Sequence, residues 1–183
     1  MAAWRTRGLR GSVLEDVINQ TIEHYRSAGL ALIQKIPTPI TPINIDQATR
    51  HITLAYFEQR STVDYMGIVQ GIPVCFDAKE CAVDTFPLHN IHAHQTEFMT
   101  EFEKQGGVSF LLLCFTHRQE YYYMPYVELM EFWNRMKLGG RKSFKISELD
   151  PAYFLDTERG FYLPILEGLQ RDLNAREERE EQK

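Results

Sequence analysis

STVDYMGIVQGIPVCFDAKE, residues 61–80, sets two aspartates and a lysine, Asp64, Asp77 and Lys79, on what otherwise reads as an apolar β-hairpin. Its two apolar runs meet at Gln70-Gly71, where glycine supplies the positive φ that a two-residue hairpin turn needs. With Val69 opposite Ile72, counting outward sets Asp64 directly opposite Asp77. Alternation brings Lys79 out on the face of Asp77 and sends Val74, Phe76 and Ala78 to the other, with Tyr65 and Val69. The two carboxylates then lie about 5 Å apart at Cβ, a like-charge cross-strand pair that weakens a sheet. Pro73 inside a paired strand demands an edge or a bulge.

A divalent cation removes that repulsion. Two carboxylate oxygens suit Mg²⁺ or Mn²⁺, which favour hard oxygen ligands and keep several waters. A retained water is acidified and aimed at phosphorus, the cation stabilises the charge that develops, and Lys79 orients or deprotonates the water. The competing reading has Asp64 closing the strand entrance and Asp77 paired with Lys79 or an arginine, with no chemistry attached.

Outward from the hairpin, helical and extended segments interleave. Leu14, Val17, Ile18, Thr21, Ile22 and Tyr25 recur at helical spacing between a Ser12 cap and a stop at Gly29. The segment ALIQKIPTPITPINI, residues 31–45, starts as a short strand and runs into Pro37, Pro39 and Pro42, which forbid helix and favour an extended arm. RHITLAYFEQ, residues 50–59, returns as a strand or a short helix. A second amphipathic helix carries Ile91, Gln95, Phe98, Met99 and Phe102 and stops at Gly106-Gly107. VSFLLLCF, residues 108–115, reads as a central strand covered on both faces, with EYYYM, residues 120–124, as its neighbour across a turn. Pro125 suits the first position of a third helix, and a last one starts near Pro164 and frays along the charged end, 174–183. With no repeat or linker, the reading is one α/β domain over 1–183 with a mixed sheet.

The chain has 183 residues, of which 44% are hydrophobic and 12% aromatic, ample for one continuous core. No apolar run approaches the roughly 20 residues that cross a bilayer, and the basic start, Met1 to Arg10, lacks the apolar stretch of a secretory signal. Three cysteines, Cys75, Cys81 and Cys114, have no metal-ligand spacing and suit a reducing compartment, so the expectation is a cytoplasmic protein with packing thiols. The net charge of −5 excludes a chain wrapped on all sides in nucleic acid, but it hides local clusters. Arg5, Arg7 and Arg10 stand unopposed near the start; Arg135, Lys137, Arg141, Lys142 and Lys145 do so between 134 and 147. Such clusters are either solvated surface or phosphate contacts. His89, His92 and His94 lack a spacing that sets three ligands on one side, and read as helix-start and surface residues.

An acid, a hairpin and then D/E-x-K is the signature of the restriction-endonuclease-like PD-(D/E)xK nucleases, here Asp64 and then Asp77-Ala78-Lys79. Around it, GSVLEDVINQTIEHY, IQKIPTPI, AYFEQRSTVDYMG, FDAKE, FPLHNIHAHQ and GGRKSFKISEL occur in an order that resembles the RecU-type Holliday-junction resolvases of low-GC Gram-positive bacteria. The likeness runs from about Gly8 to Phe161. It implies a restriction-endonuclease-like mixed sheet flanked by helices, with a Pro-rich protruding stalk over about 37–55. It also implies a nucleoid-associated homodimer whose two Mg²⁺ sites nick a four-way DNA junction in pairs, with a recombinase or branch-migration protein as a further partner.

By that resemblance Asp64 and Asp77 hold Mg²⁺ with the Ala78 carbonyl, and Lys79 acts on the water. Gln95 is the family's additional metal and active-site position; as a buried amide in an apolar stripe it needs either the metal site or backbone as partner. Glu15 is either an outer-shell acid or the far end of a capping box with Ser12. Thr62 matches a family threonine near the site, while Val63 replaces a second one and Asp77 a commoner glutamate. The stalk is a few residues shorter and less basic than the family pattern, leaving Arg50 and His51 as its junction contacts. Arg7, Arg10, Arg141 and Lys142 become phosphate contacts. Related readings are a nuclease of the same superfamily for another branched or duplex DNA, and a non-catalytic junction-binding recombination factor.

Overall fold

The computed structural model describes residues 13–57, 62–157 and 162–182. In chain order its elements are α1 (Val13–Ser27), β1 (Leu32–Lys35), β2 (Ile40–Ile45), β3 (Ile52–Phe57), β4 (Tyr65–Val69), β5 (Ile72–Cys81), β6 (Thr85–Pro87), α2 (Ala93–Lys104), β7 (Val108–Phe115), β8 (Glu120–Pro125), α3 (Tyr126–Lys137), β9 (Ser143–Lys145), β10 (Phe154–Leu155) and α4 (Ile165–Glu181).

The expected stripe of α1 is buried except for Val17, which is only partly covered. The helix stops where Gly29 turns to φ +68°, with Gly29 N–H on Arg26 O and Leu30 N–H on Tyr25 O. These bonds satisfy carbonyls that the last turn would otherwise leave bare. The expected Ser12 cap lies outside the described residues.

Six strands form one sheet in the order β1-β4-β5-β7-β8-β10. Only β5 and β7 run parallel, joined by a crossover that includes α2; the other pairs are antiparallel, so the sheet is mixed as expected. β7 is buried along its whole length between neighbours on both sides. At the hairpin, Gln70 (φ +48°) and Gly71 (φ +92°) both take positive φ, the two-residue turn whose twist matches the strands. Pro73 fits because pairing of β5 with β7 begins at Val74, so its missing N–H removes no bond on that side.

Each face of the sheet has its own core. On one, α1 and α4 cover Tyr65, Phe76, Phe110 and Tyr123, whose rings stack at centroid spacings of 4.8, 4.7 and 4.3 Å. Each such pair contributes about 1 kcal/mol beyond its burial. On the other, α2 and α3 cover Cys75, Leu111, Leu113, Tyr122 and Met124.

Two expectations are corrected at the helix ends. Pro125 is the residue before α3 and closes β8 instead of opening the helix. The charged end does not fray from residue 174, since α4 continues to Glu181. Arg176 ties it down, bonding Glu103 Oε2 at 2.6 Å and the buried Asp172 Oδ1 at 3.0 Å. The proline-rich arm and residues 52–57 pair as a separate two-stranded ribbon, β2 with β3, so the second segment is a strand and not a helix. Ile40, Ile43, Ile45, Ile52, Leu54 and Tyr56 are all exposed on it.

Candidate active site

The hairpin ladder pairs Val69 with Ile72 and proceeds to Tyr65 with Phe76, so the next step outward brings Asp64 to Asp77. The two residues are laced together by their own backbones. Asp64 N–H donates to Asp77 Oδ1 at 2.8 Å, and Ala78 N–H donates to Asp64 Oδ2 at 3.1 Å. A third bond, Ile36 N–H to Asp64 O at 2.8 Å, fixes Asp64 from the β1 side.

Asp77 is 0% exposed, and among the described residues its Oδ2 has no hydrogen-bond partner. Lys79 Nζ stands 3.5 Å from that oxygen, at ion-pair distance but without hydrogen-bond geometry. Burial pushes the Asp77 carboxyl up to about 7; the Lys79 ammonium pulls it down and Asp64 pushes it up again. The Asp77–Lys79 pairing of the competing reading therefore exists, yet it leaves a desolvated oxygen short of a partner.

A buried carboxylate oxygen without a hydrogen bond, on a residue paired across the strands with a second aspartate, is what a hard divalent cation satisfies. Among the described residues no group of three or more His, Cys, Asp or Glu is gathered, so a zinc-type cage is absent there. Two carboxylates with neighbouring backbone suit Mg²⁺ or Mn²⁺, whose remaining positions are filled by water.

Gln95 lies on the buried side of α2, one turn before Met99, whose carbonyl accepts from the Ser109 hydroxyl beside Cys75. It thus belongs to the face of the sheet that carries Asp77. Its Oε1 accepts the His92 N–H at 3.0 Å, which makes it a cap for its own helix. Thr62 is exposed two residues before Asp64, and Val63 is fully buried. Glu15 Oε2 is 2.6 Å from Lys35 Nζ, at the end of β1.

Arg50 and His51 sit at the turn of the β2–β3 ribbon. There Asp46 accepts from Ala48 N–H at 2.8 Å and Arg50 takes φ +57°. The basic run 135–145 is not unopposed: Glu148, just beyond it, bonds Arg135 at 2.7 Å and Arg141 at 3.1 Å. Lys137, Lys142 and Lys145 stay exposed. Arg7 and Arg10 lie outside the described residues. His92 and His94 stack on each other at 5.4 Å at the start of α2, as surface and helix-start residues do. All three cysteines are buried and free.

Two residues escaped the sequence reading. Glu80 Oε1 accepts the Leu14 N–H at 2.8 Å, and Lys35 pairs with Glu15. A signal for Glu80 was present: alternation turns it away from Lys79, toward the helix whose first N–H groups need acceptors.

A mixed sheet whose inner hairpin presents an acid, then acid-x-lysine, at the end of its ladder defines a restriction-endonuclease-like domain. Residues 9–171 match the family model described as Recombination protein U. The chain belongs to the recombination protein U family. It is 41% identical over 168 residues to the Holliday junction resolvase RecU of Bacillus pumilus, covering 87% of this chain and 81% of that one. The RecU resolvases of Geobacillus kaustophilus and Listeria innocua are each 42% identical, over 77% and 79% of this chain and 72% and 74% of their own lengths. Among the described residues no helix is long and apolar enough to cross a membrane.

Proposed function

We propose that this protein is a Mg²⁺-dependent endonuclease that resolves four-way DNA junctions in recombination and repair, acting as a homodimer that hydrolyses two phosphodiesters. The observation that supports it most is Asp77 Oδ2, buried without a hydrogen bond, opposite Asp64 and 3.5 Å from Lys79. Asp64 and Asp77 hold the cation with the Ala78 carbonyl, and Mn²⁺ substitutes for it. When bound, the cation supplies an acidified water and neutralises charge that builds at phosphorus.

The chain's own residues do the rest. Asp64 N–H donates to the Asp77 carboxylate and Ala78 N–H donates to the Asp64 carboxylate, which pre-positions the two acids for binding. Lys79 orients the attacking water or takes its proton, and its charge offsets that of the phosphorane. Gln95 keeps a second Oε1 lone pair after accepting from His92 and joins the site through it, with Thr62 beside Asp64. Glu15, engaged by Lys35, acts from the outer shell. Arg50 and His51 contact the junction, while Lys142, with Lys137 and Lys145, grips phosphates. Arg141, neutralised by Glu148, adds less; Arg7 and Arg10 extend the contact. Phosphate contacts of this kind position DNA without reading its sequence. The protein works at the nucleoid beside a recombinase or branch-migration partner.

The test is a cleavage assay on four-way, flap, nicked and linear DNA with the parent, Asp64→Ala and Lys79→Ala proteins. Both variants should bind junctions and fail to cut them. Full Mg²⁺-dependent cleavage by either removes the assignment. Preference for flap or linear DNA makes the protein a related nuclease of another substrate, and tight binding without product makes it a junction-binding factor.

A further inference from the structure

We infer that Glu80, with the Glu15–Lys35 pair, is a positioning residue that sets the spacing of the Asp64–Asp77 carboxylates; the inference rests on the metal site proposed above. Asp64 stands one step beyond the end of β4, where the strand ladder no longer holds it. What holds it is a closed circuit of contacts. From β5, Glu80 Oε1 takes the Leu14 N–H at 2.8 Å and anchors the first turn of α1. The next residue of that turn, Glu15, takes Lys35 Nζ at 2.6 Å. The residue after Lys35, Ile36, gives its N–H to Asp64 O at 2.8 Å. Asp64 closes the ring on β5 through Asp77 Oδ1 at 2.8 Å and Ala78 N–H at 3.1 Å.

The links differ in strength. The Glu15–Lys35 pair is 28% and 43% exposed, so water weakens it. The Glu80 bond is charge-assisted, part-buried and at the positive end of a helix, which makes it the firm link. Glu80 and Lys79 are adjacent on one strand and face opposite ways, so the strand that presents Asp77 and Lys79 to one face is braced from the other. Without the brace, the first turn of α1 and the end of β1 are held less firmly, Asp64 is left with its own bonds to Asp77 and Ala78, and a cation that needs both carboxylates at fixed distance loses affinity.

The experiment titrates Mn²⁺ into full-length protein and follows loss of the free-ion electron paramagnetic resonance signal, with metal-dependent junction cleavage measured in parallel. Glu80→Ala should raise half-saturating Mn²⁺ on the order of tenfold, as loss of an outer-shell support does. Cleavage should need correspondingly more metal while its rate at saturation stays near the parent's. Glu80→Gln, whose Oε1 still accepts the Leu14 N–H, should restore most of the affinity, and Lys35→Met should cost less than Glu80→Ala. A purely structural role for Glu80 would lower the melting temperature and leave half-saturation of the folded protein unchanged. That result, or parental half-saturation in Lys35→Met if Glu80→Ala does not fold, overturns the inference. A parent that takes up no Mn²⁺, or an Asp77→Ala protein that takes up as much, overturns the metal site itself.

Discussion

Replacing Asp77 by asparagine in the metal-free protein should stabilise it above neutral pH while abolishing metal binding. Burial raises the Asp77 carboxyl from 3.8 to about 7 in the folded state. Below about pH 4 the group is protonated whether folded or not, and its pKa shift contributes no pH-dependent cost. Between about pH 4 and 7 the unfolded chain ionises it and the folded chain does not, so folding loses ground as pH rises. Above about pH 7 the full cost stands, with a ceiling of roughly 4 kcal/mol from about three pH units at 1.36 kcal/mol each. The pull of Lys79 is already contained in that figure; asparagine keeps an Oδ1 to accept the Asp64 N–H, but buries an amide NH₂ where Oδ2 has no hydrogen-bond partner, which subtracts from the gain. A net gain of about 1–3 kcal/mol at pH 8 is expected. Urea unfolding in chelator from pH 4.5 to 8.5, followed by tryptophan fluorescence, measures it. Adding Mg²⁺ should reverse the order, because the parent alone gains binding free energy. An asparagine protein less stable than the parent at pH 8 in chelator, or a difference that stays flat between pH 4.5 and 7, would refute the account of Asp77 as a strained, cation-ready acid.

Other perturbations probe the frame around the site. Glu128, raised to about 7 chiefly by burial beside Tyr122, follows the same sign, so Glu128→Gln should gain about 1 kcal/mol over the parent as pH climbs past 7, read from the same unfolding curves. Gly67→Ala would set a Cβ 2.2 Å from Leu32 O and 2.6 Å from Ile33 Cα, both backbone atoms that cannot step aside. A loss of about 3 kcal/mol is expected, with hydrogen-exchange protection vanishing from β1 before β5; an unchanged β1 would contradict so close an approach of β1 to β4. Arg50→Ala at the ribbon turn should weaken junction binding for every sequence alike and lower the salt dependence by about one ion, measured by binding titrations at several salt concentrations.

The hairpin was legible because its determinants are local. A two-residue turn at Gln70-Gly71 fixes the register, and from register alone Asp64 meets Asp77. β7 was legible because six consecutive apolar residues, Phe110 to Phe115, too few for a typical helix, read as a strand covered on both faces. What escaped reading depends on partners far along the chain. Arg176 meets Glu103 across 73 positions, so the order of the charged C-terminal end had no local trace; Glu80 meets Leu14 across 66, and alternation gave the face it points to but not its partner. The basic run looked unopposed because Glu148 stands just past it and returns through a single 3₁₀ turn, with its carboxylate accepting the Lys145 N–H. For residues 52–57 local sequence was consistent with two states, and pairing with β2 decided between them.

The β2–β3 ribbon has a thermodynamic consequence of its own. Two strands outside the main sheet, with their isoleucines left exposed, are marginally cohesive by themselves, so the ribbon is expected to open at a lower free-energy cost than the six-stranded sheet. Whatever engages the ribbon selects the zipped form, and its apparent affinity scales with the fraction of molecules that have it. The Asp46 side chain, accepting the Ala48 N–H at the bend, would then tune binding at the ribbon from a position that need never meet the ligand.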